Sequence, residues 1–266
     1  MNFLETVLRE KSDLVARKKM ARPPDEIMAL AGRRRGKRPF FTTFAQRFSG
    51  ETKIVAEFKR SSPSRGTLSL DGGDISGMVR AYERGGAAAV SILTEESYFN
   101  GSLTDLARAK EVTNLPILRK DFIVDAYELY ETAAFGADAV LLIAEALERE
   151  KLEDLAMLAA SLDLDVLLEV HSIKSFEKTA HIDGVVTGVN SRDLETLAID
   201  LKKAHEVVAA LPPDRPVIIE SGINTRSDID YFSDPGVCGF LIGTSLMRSS
   251  NPAKTLHQLT SQKEQK

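Results

Sequence analysis

Along most of this chain, short runs of apolar and β-branched residues alternate with longer segments whose apolar positions return every three or four residues. The first pattern is that of buried strands, the second that of amphipathic helices. Eight strands are predicted, ending near Phe58-Lys59, Leu93, Lys120, Ile143, Glu169, Asn190, Glu220 and Ile242. Helices are predicted over 75–84, 103–112, 126–135, 150–162, 173–179, 201–211 and 226–232, with a last one after Pro252. Eight strands alternating with eight helices predict the α/β class and a closed (β/α)8 TIM barrel. Three joints repeat a helix-ending glycine ahead of a strand: Gly85-Gly86-Ala87, Phe135-Gly136-Ala137 and Pro235-Gly236-Val237. A doubly wound sheet is the alternative, but no Gly-x-Gly-x-x-Gly follows the first strand.

Before the first strand, residues 1 to about 20 carry Phe3, Leu4, Val7, Leu8, Leu14 and Val15 at helical spacing. Pro23-Pro24 ends that helix, and a second short helical turn is predicted over 26–30. A basic run, Arg33-Arg34-Arg35-Gly36-Lys37-Arg38, follows it. Without interleaved aromatic residues it reads as a solvated loop and not as a nucleic-acid patch. Residues 60–66, rich in serine with Pro63 and Gly66, also read as a loop. The whole chain, 1–266, fits a single barrel domain in which 1–48 is an N-terminal helical extension.

Composition narrows the function further. A net charge of -4 gives no general attraction to nucleic acid or anionic membrane. The N-terminus lacks a signal peptide's pattern and no window is long and apolar enough to span a bilayer, so a cytoplasmic protein without membrane contact is expected. The one cysteine, Cys238, lies in an apolar run and reads as core packing. His171, His181, His205 and His257 lack metal-site spacing, so no metal is expected.

In barrels of this kind the chemistry sits at the C-terminal ends of the strands. Here those ends carry Glu57 with Lys59, Lys120, Glu169, Asn190, and Glu220 with Ser221. Period-two alternation puts Glu57 with Lys59, Leu118 with Lys120, Leu167 with Glu169 and Ile218 with Glu220 on shared faces, which makes one polar ring. One such charge is ordinarily a solvated edge, but five strands ending this way are hard to read so. Leu93, Leu141 and Ile143 at the other ends, with Phe99 and Phe122 in nearby loops, give an apolar half suited to a flat ligand, or the top layer of the barrel core. Ile242-Gly243-Thr244-Ser245 and Glu220-Ser221-Gly222 place glycines and hydroxyls where backbone N–H groups attract phosphate.

The segments Ala56-Glu57-Phe58-Lys59-Arg60-Ser61-Ser62-Pro63-Ser64, Leu118-Arg119-Lys120-Asp121-Phe122, Leu168-Glu169-Val170-His171, Gly188-Val189-Asn190-Ser191-Arg192-Asp193-Leu194, Glu220-Ser221-Gly222 and Ile242-Gly243-Thr244-Ser245 occur in that order. Together they resemble the indole-3-glycerol-phosphate synthases of tryptophan biosynthesis, over nearly the whole chain. The resemblance implies a barrel whose N-terminal helical segment lies near the mouth. It implies ring closure of 1-(2-carboxyphenylamino)-1-deoxyribulose 5-phosphate to indole-3-glycerol phosphate, carbon dioxide and water, without a cofactor. Lys120 would be the general acid, Glu169 the general base, and Lys59 a lysine that orients the substrate. Glu57, Asn190, Glu220 and Ser221 would support them. Arg192 would contact an anionic group, beside Leu93, Phe99, Phe122, Leu141, Ile143 and Leu194, while Lys59, Gly222, Ile242, Gly243 and Thr244 would hold the phosphate. Two departures stand out: residues 70–75 lack the Asp-Pro often found before the first barrel helix, and Thr244 stands where serine or an acidic residue is common. A monomer and association with other tryptophan-pathway enzymes are both compatible with the sequence. The rival readings are a Schiff-base aldolase using Lys120 on a phosphosugar and a phosphosugar-binding barrel without catalysis.

Overall fold

The computed structural model describes residues 2–34, 36–45, 52–68, 73–232, 234 and 236–261. Met1, Arg35, residues 46–48 of the extension, 70–72 of the variant loop and Pro235 of the third joint lie outside the described residues.

Eight parallel strands close into a barrel: β1 (Ile54–Phe58), β2 (Ala89–Leu93), β3 (Ile117–Lys120), β4 (Ala139–Ile143), β5 (Asp165–Val170), β6 (Val186–Asn190), β7 (Val217–Glu220) and β8 (Val237–Ile242). Each pairs with the next, and β8 pairs back onto β1 through Ile54↔Phe240, Val55↔Leu241 and Ala56↔Ile242. Helices α4 (Ile75–Arg84), α5 (Leu103–Val112), α6 (Ala126–Ala134), α7 (Arg149–Ser161), α8 (Ile173–Thr179), α9 (Leu201–Ala210), α10 (Arg226–Tyr231) and α12 (Pro252–Thr260) follow the strands, with a short α11 (Thr244–Met247) straight after β8. The predicted bounds hold to within a residue or two. The loop reading of 60–66 is corrected: Ser61–Ser62 pairs with Gly66–Thr67 as a small antiparallel hairpin.

Period-two alternation splits the core into two shells. Ile54, Ala56, Val90, Ile92, Ile117, Val140 and Leu142 face the helices. Val55, Ala89, Leu118, Ala139, Leu167, Val186 and Ile218 fill the barrel interior. Two residues beyond Val55, Leu118, Leu167 and Ile218 stand Glu57, Lys120, Glu169 and Glu220. The register puts Leu93 beside Lys120, Ile143 beside Glu169 and Asn190 beside Glu220 as Cα partners. A polar layer thus caps an apolar plug.

The extension contributes α1 (Phe3–Ala21), α2 (Pro24–Ala31) and α3 (Phe40–Ala45). A capping box of Asn2 and Glu5 starts α1. The helix is held by a buried cation: Lys11 Nζ lies 2.7 Å from Asp121 Oδ1 and 3.2 Å from Glu128 Oε1. The fully buried Arg119 faces the same carboxylates, 3.0 Å from Asp121 Oδ2. Its last segment lies at the far end of the barrel. Phe40 and Phe44 of α3 are completely buried among the interior residues, and Gly239 leaves room for the Phe44 ring, which a Cβ there would meet at 2.8 Å. The extension therefore reaches the mouth with Phe3, as expected, whereas α3 closes the bottom, away from the expected place near the mouth.

The solvated-loop reading of the basic run is overturned at three of its residues. Arg34 donates to the carbonyls of Leu162 (3.1 Å) and Ala137 (2.9 Å). Lys37 pairs with Asp165 at 2.7 Å, and Arg38 donates to the carbonyls of Leu115 and Lys110, both at 3.1 Å. These cations satisfy free carbonyls and carboxylates at the strand starts.

Candidate active site

The polar layer opens into a cleft at the C-terminal ends of the strands. Lys120, the last residue of β3, extends its Nζ to 2.6 Å from Glu169 Oε2 and 2.9 Å from Glu220 Oε2. The first contact is a hydrogen bond; the second is an ion pair off the line of one, and it leaves both Glu220 oxygens without a hydrogen-bond partner among the described residues. Lys59 Nζ sits 2.5 Å from Glu57 Oε1. Asn190 Nδ2 donates to Glu169 Oε1 at 3.1 Å, and its own Oδ1 accepts from the Arg192 backbone N–H at 3.0 Å.

Two glycines make this crowding feasible. A Cβ on Gly188 would collide with Glu220 Oε1, and one on Gly243 with Glu57 Oε1. At both places the barrel trades a side chain for the close approach of a buried carboxylate.

The charge states follow from this packing. Burial works against the Lys120 ammonium, but Glu169, Glu220 and Glu57 outweigh it and raise its pKa well above that of an ordinary lysine. Burial alone would raise the Glu169 pKa; the field of Lys120, then His171, reverses that and takes it down to about 2. Glu220 goes the other way: burial, together with the neighbouring Glu169 and Glu57, pushes it up to about 8 against the pull of Lys120. One ammonium thus serves an ionised and a protonated carboxyl at neutral pH.

The apolar half consists of Leu93, Phe99, Phe122, Leu141, Ile143 and Leu194, with the Phe99 and Phe122 rings 6.4 Å apart and tilted by 43°. On the opposite side, Ser221 and Gly222 both adopt left-handed backbone, at φ 64° and 77°. A serine in that region is uncommon and marks a tight turn. Ile242 and Gly243 lead into α11 at Thr244, whose first backbone N–H groups are free of helix partners.

The structure gathers all the site residues named from the sequence around this one cleft. It adds others. Phe3 arrives from the extension, and Ser62, Pro63, Ser64 and Arg65 arrive on the hairpin. Ser62, Pro63 and Ser64 stood inside the quoted segment after Lys59 without a role of their own, and Phe3 had only a place on an amphipathic helix. His171 was also missed: its Nε2 lies 3.3 Å from Glu169 Oε1 and its Nδ1 3.1 Å from Glu145 Oε2.

A closed parallel barrel with paired lysines and carboxylates at its C-terminal mouth defines an enzyme of the (β/α)8 class. Among solved structures, the fold is shared with thiamine phosphate pyrophosphorylase from Pyrococcus furiosus (TM-score 0.58, 16% identity, 83% of this chain and 96% of that one). N-acetylmannosamine-6-phosphate 2-epimerase from Clostridium perfringens gives the same TM-score and identity over 79% of this chain and 92% of its own. The family model described as indole-3-glycerol phosphate synthase matches residues 4–259, and the chain belongs to that family. It is 41% identical over 97% of its length to the indole-3-glycerol phosphate synthase of Desulfosudis oleivorans, covering 98% of that relative. The enzyme of that name from Neisseria meningitidis is 39% identical over 94% of this chain and 96% of its own. Membership makes the protein a carboxy-lyase of tryptophan biosynthesis.

Proposed function

We propose that this chain closes the indole ring of 1-(2-carboxyphenylamino)-1-deoxyribulose 5-phosphate with Lys120 as general acid and Glu169 as general base. The observation that carries the reading is the 2.6 Å contact between these two oppositely charged groups at the boundary of the polar and apolar halves of the cleft. The ring carbon that bears the carboxylate is a poor nucleophile, so the ketone must be activated by proton donation, which is worth ~10²–10⁴-fold. Its carboxylate neighbours, Glu169 first, hold Lys120 as an ammonium, so it carries the proton to be given at neutral pH. After bond formation, carbon dioxide departs and its electron pair returns to the nitrogen-conjugated ring. Dehydration then needs a second proton on the former ketone oxygen and a base for the carbon beside the nitrogen.

In this reading Lys59, paired with Glu57, orients the substrate. The Ser221-Gly222 turn, Ile242, Gly243 and Thr244 receive the phosphate. Arg192 faces an anionic group, and the Phe99–Phe122 wall with Leu93, Leu141, Ile143 and Leu194 takes the aryl ring. Asn190, Glu220 and Ser221 support the acid and base. The aldolase reading fits less well, because an ammonium held charged is not the free amine that Schiff-base formation needs. Residues 1–266 form one domain in this proposal, with 1–48 as its extension. The protein works in the cytoplasm, on a small phosphorylated substrate, without nucleic acid or membrane; none of the described helices is long and apolar enough to cross a bilayer. The purified chain is expected to generate indole fluorescence from the carboxyphenylamino substrate and to form no borohydride-stable adduct. An adduct on Lys120, or no indole product, refutes the proposal.

A further inference from the structure

The stoichiometry of the reaction makes a demand that Lys120 and Glu169 alone do not meet. The ketone oxygen leaves as water and therefore receives two protons, whereas only one returns, from the carbon beside the nitrogen. The carboxylate leaves as neutral carbon dioxide. Each turnover must therefore draw one proton from solvent into a site where Glu169 is almost fully buried.

One line of groups runs from that site outward. Lys120 Nζ is 2.6 Å from Glu169 Oε2, Glu169 Oε1 is 3.3 Å from His171 Nε2, and His171 Nδ1 is 3.1 Å from Glu145 Oε2. Side-chain exposure is 12% at Lys120, on the cleft side, falls to 2% at Glu169, and rises again to 9% at His171 and 25% at Glu145. Glu145, on the turn after β4, fixes the ring by also accepting from the His171 backbone N–H at 2.9 Å. Nε2 is buried and has no aligned hydrogen bond among the described residues, so it points at Glu169 with its capacity unused. His171 does not line the active-site cleft. It lines a second hollow outside it, with Arg192, Asp193, Asp200 and Lys203 as the charged groups there, and Asn190 and Arg192 belong to both walls.

We propose that His171 is a positioning and proton-relay residue, which recharges the spent Lys120 through Glu169 with the proton that each turnover takes from solvent. The inference rests on the reading of Lys120 as acid and Glu169 as base. Once Lys120 has given its proton to the ketone oxygen it is a neutral amine. The His171 Nε2–H bond breaks as a Glu169 Oε1–H bond forms, and the proton held by Glu169 passes from Oε2 to Lys120 Nζ. Its net path is from imidazolium to amine, and Glu169 ends as a carboxylate. The ring then releases Glu145 and turns over, so that its remaining N–H faces Glu169 and the bare nitrogen takes a proton from solvent at Glu145 and the outer hollow. Energetics allow this direction. Burial opposes charge on the ring, but Glu145, Glu169 and Glu220 keep its pKa above that of ordinary histidine, while Lys120 is the stronger base.

The test is steady-state turnover of the full chain on the carboxyphenylamino substrate, with and without added imidazole across the pH range. His171→Ala is expected to lower kcat by ~10–100-fold, with KM changed less than ~3-fold, and imidazole is expected to restore much of kcat while leaving the unmutated enzyme unaffected. His171→Gln, which fills the site but carries no titratable proton, is expected to be slow and not rescued. Near-normal kcat in either variant, or a loss in His171→Ala that imidazole leaves unchanged at every pH, overturns the relay. Lys120→Ala assayed alongside separates the two claims. If it is active, the acid itself is misassigned; if it is inactive beside a fully active His171→Ala, only the relay falls.

Discussion

Replacing Glu220 by glutamine tests the charge state of the ring directly. The side chain is buried at the end of β7, and its pKa is raised from the ordinary 4.5 to about 8. A carboxyl raised on folding favours the folded state fully below its unfolded pKa, and that contribution is lost as pH climbs towards its folded pKa. For Glu220 the window is pH 4.5 to about 8. A shift of this size corresponds to at most about 5 kcal/mol of stability lost across that window, and about half of that is a working figure because Lys120 is shared with Glu169. Glu169 acts the other way, with its pKa lowered, but its window lies below pH 4.5. Glutamine is neutral throughout and nearly isosteric, so Glu220→Gln removes this loss alone. Urea unfolding from pH 5 to 9 is the assay. The variant is expected to gain about 2–3 kcal/mol relative to the unmutated protein between pH 5 and 8, with most of the gain arising before pH 8. A difference that stays constant over that range would show that Glu220 is ionised at neutral pH, and the assignment of one charged and one neutral carboxyl beside Lys120 would fail.

Further outcomes follow from other contacts. Lys11→Ala leaves Asp121 and Glu128 without one of their two buried cations; since Arg119 remains, a loss of about 2–4 kcal/mol is expected by urea unfolding, and one under about 0.5 would contradict the buried pair as the clasp of α1. Gly188→Ala drives a methyl group against Glu220 and is expected to cost about 1–3 kcal/mol and to lower kcat, whereas an unperturbed variant would mean that the carboxyl is not packed there.

The barrel was legible because its strands are buried on both sides and announce themselves as apolar runs, and because Gly86 and Gly136, at φ 81° and 86°, mark helix ends. The polar ring was legible for the same reason. A charge at the end of an apolar run, such as Lys120 after Ile117-Leu118, stands out, and period two assigns its face. What stayed hidden depends on contacts distant in sequence. Arg34 and Arg38 read as solvated because nothing local shows that they meet carbonyls 72 to 129 residues away. The plug of Phe40 and Phe44 is as obscure, since its partners are spread over the bottoms of the strands. His171 lay inside a quoted motif, yet its link to Glu145 joins the ends of two neighbouring strands and has no spacing signature.

In the proposed reaction Lys120 gives a proton to the substrate ketone opposite Glu169. The most direct test of that transfer is kcat for indole-3-glycerol phosphate formation by Lys120→Met, which keeps the packing of the lysine stem and removes the proton. The variant is expected to fold and to show a kcat lower by ~10²–10⁴-fold. A folded Lys120→Met that turns over at a rate near that of the unmutated enzyme would contradict the transfer.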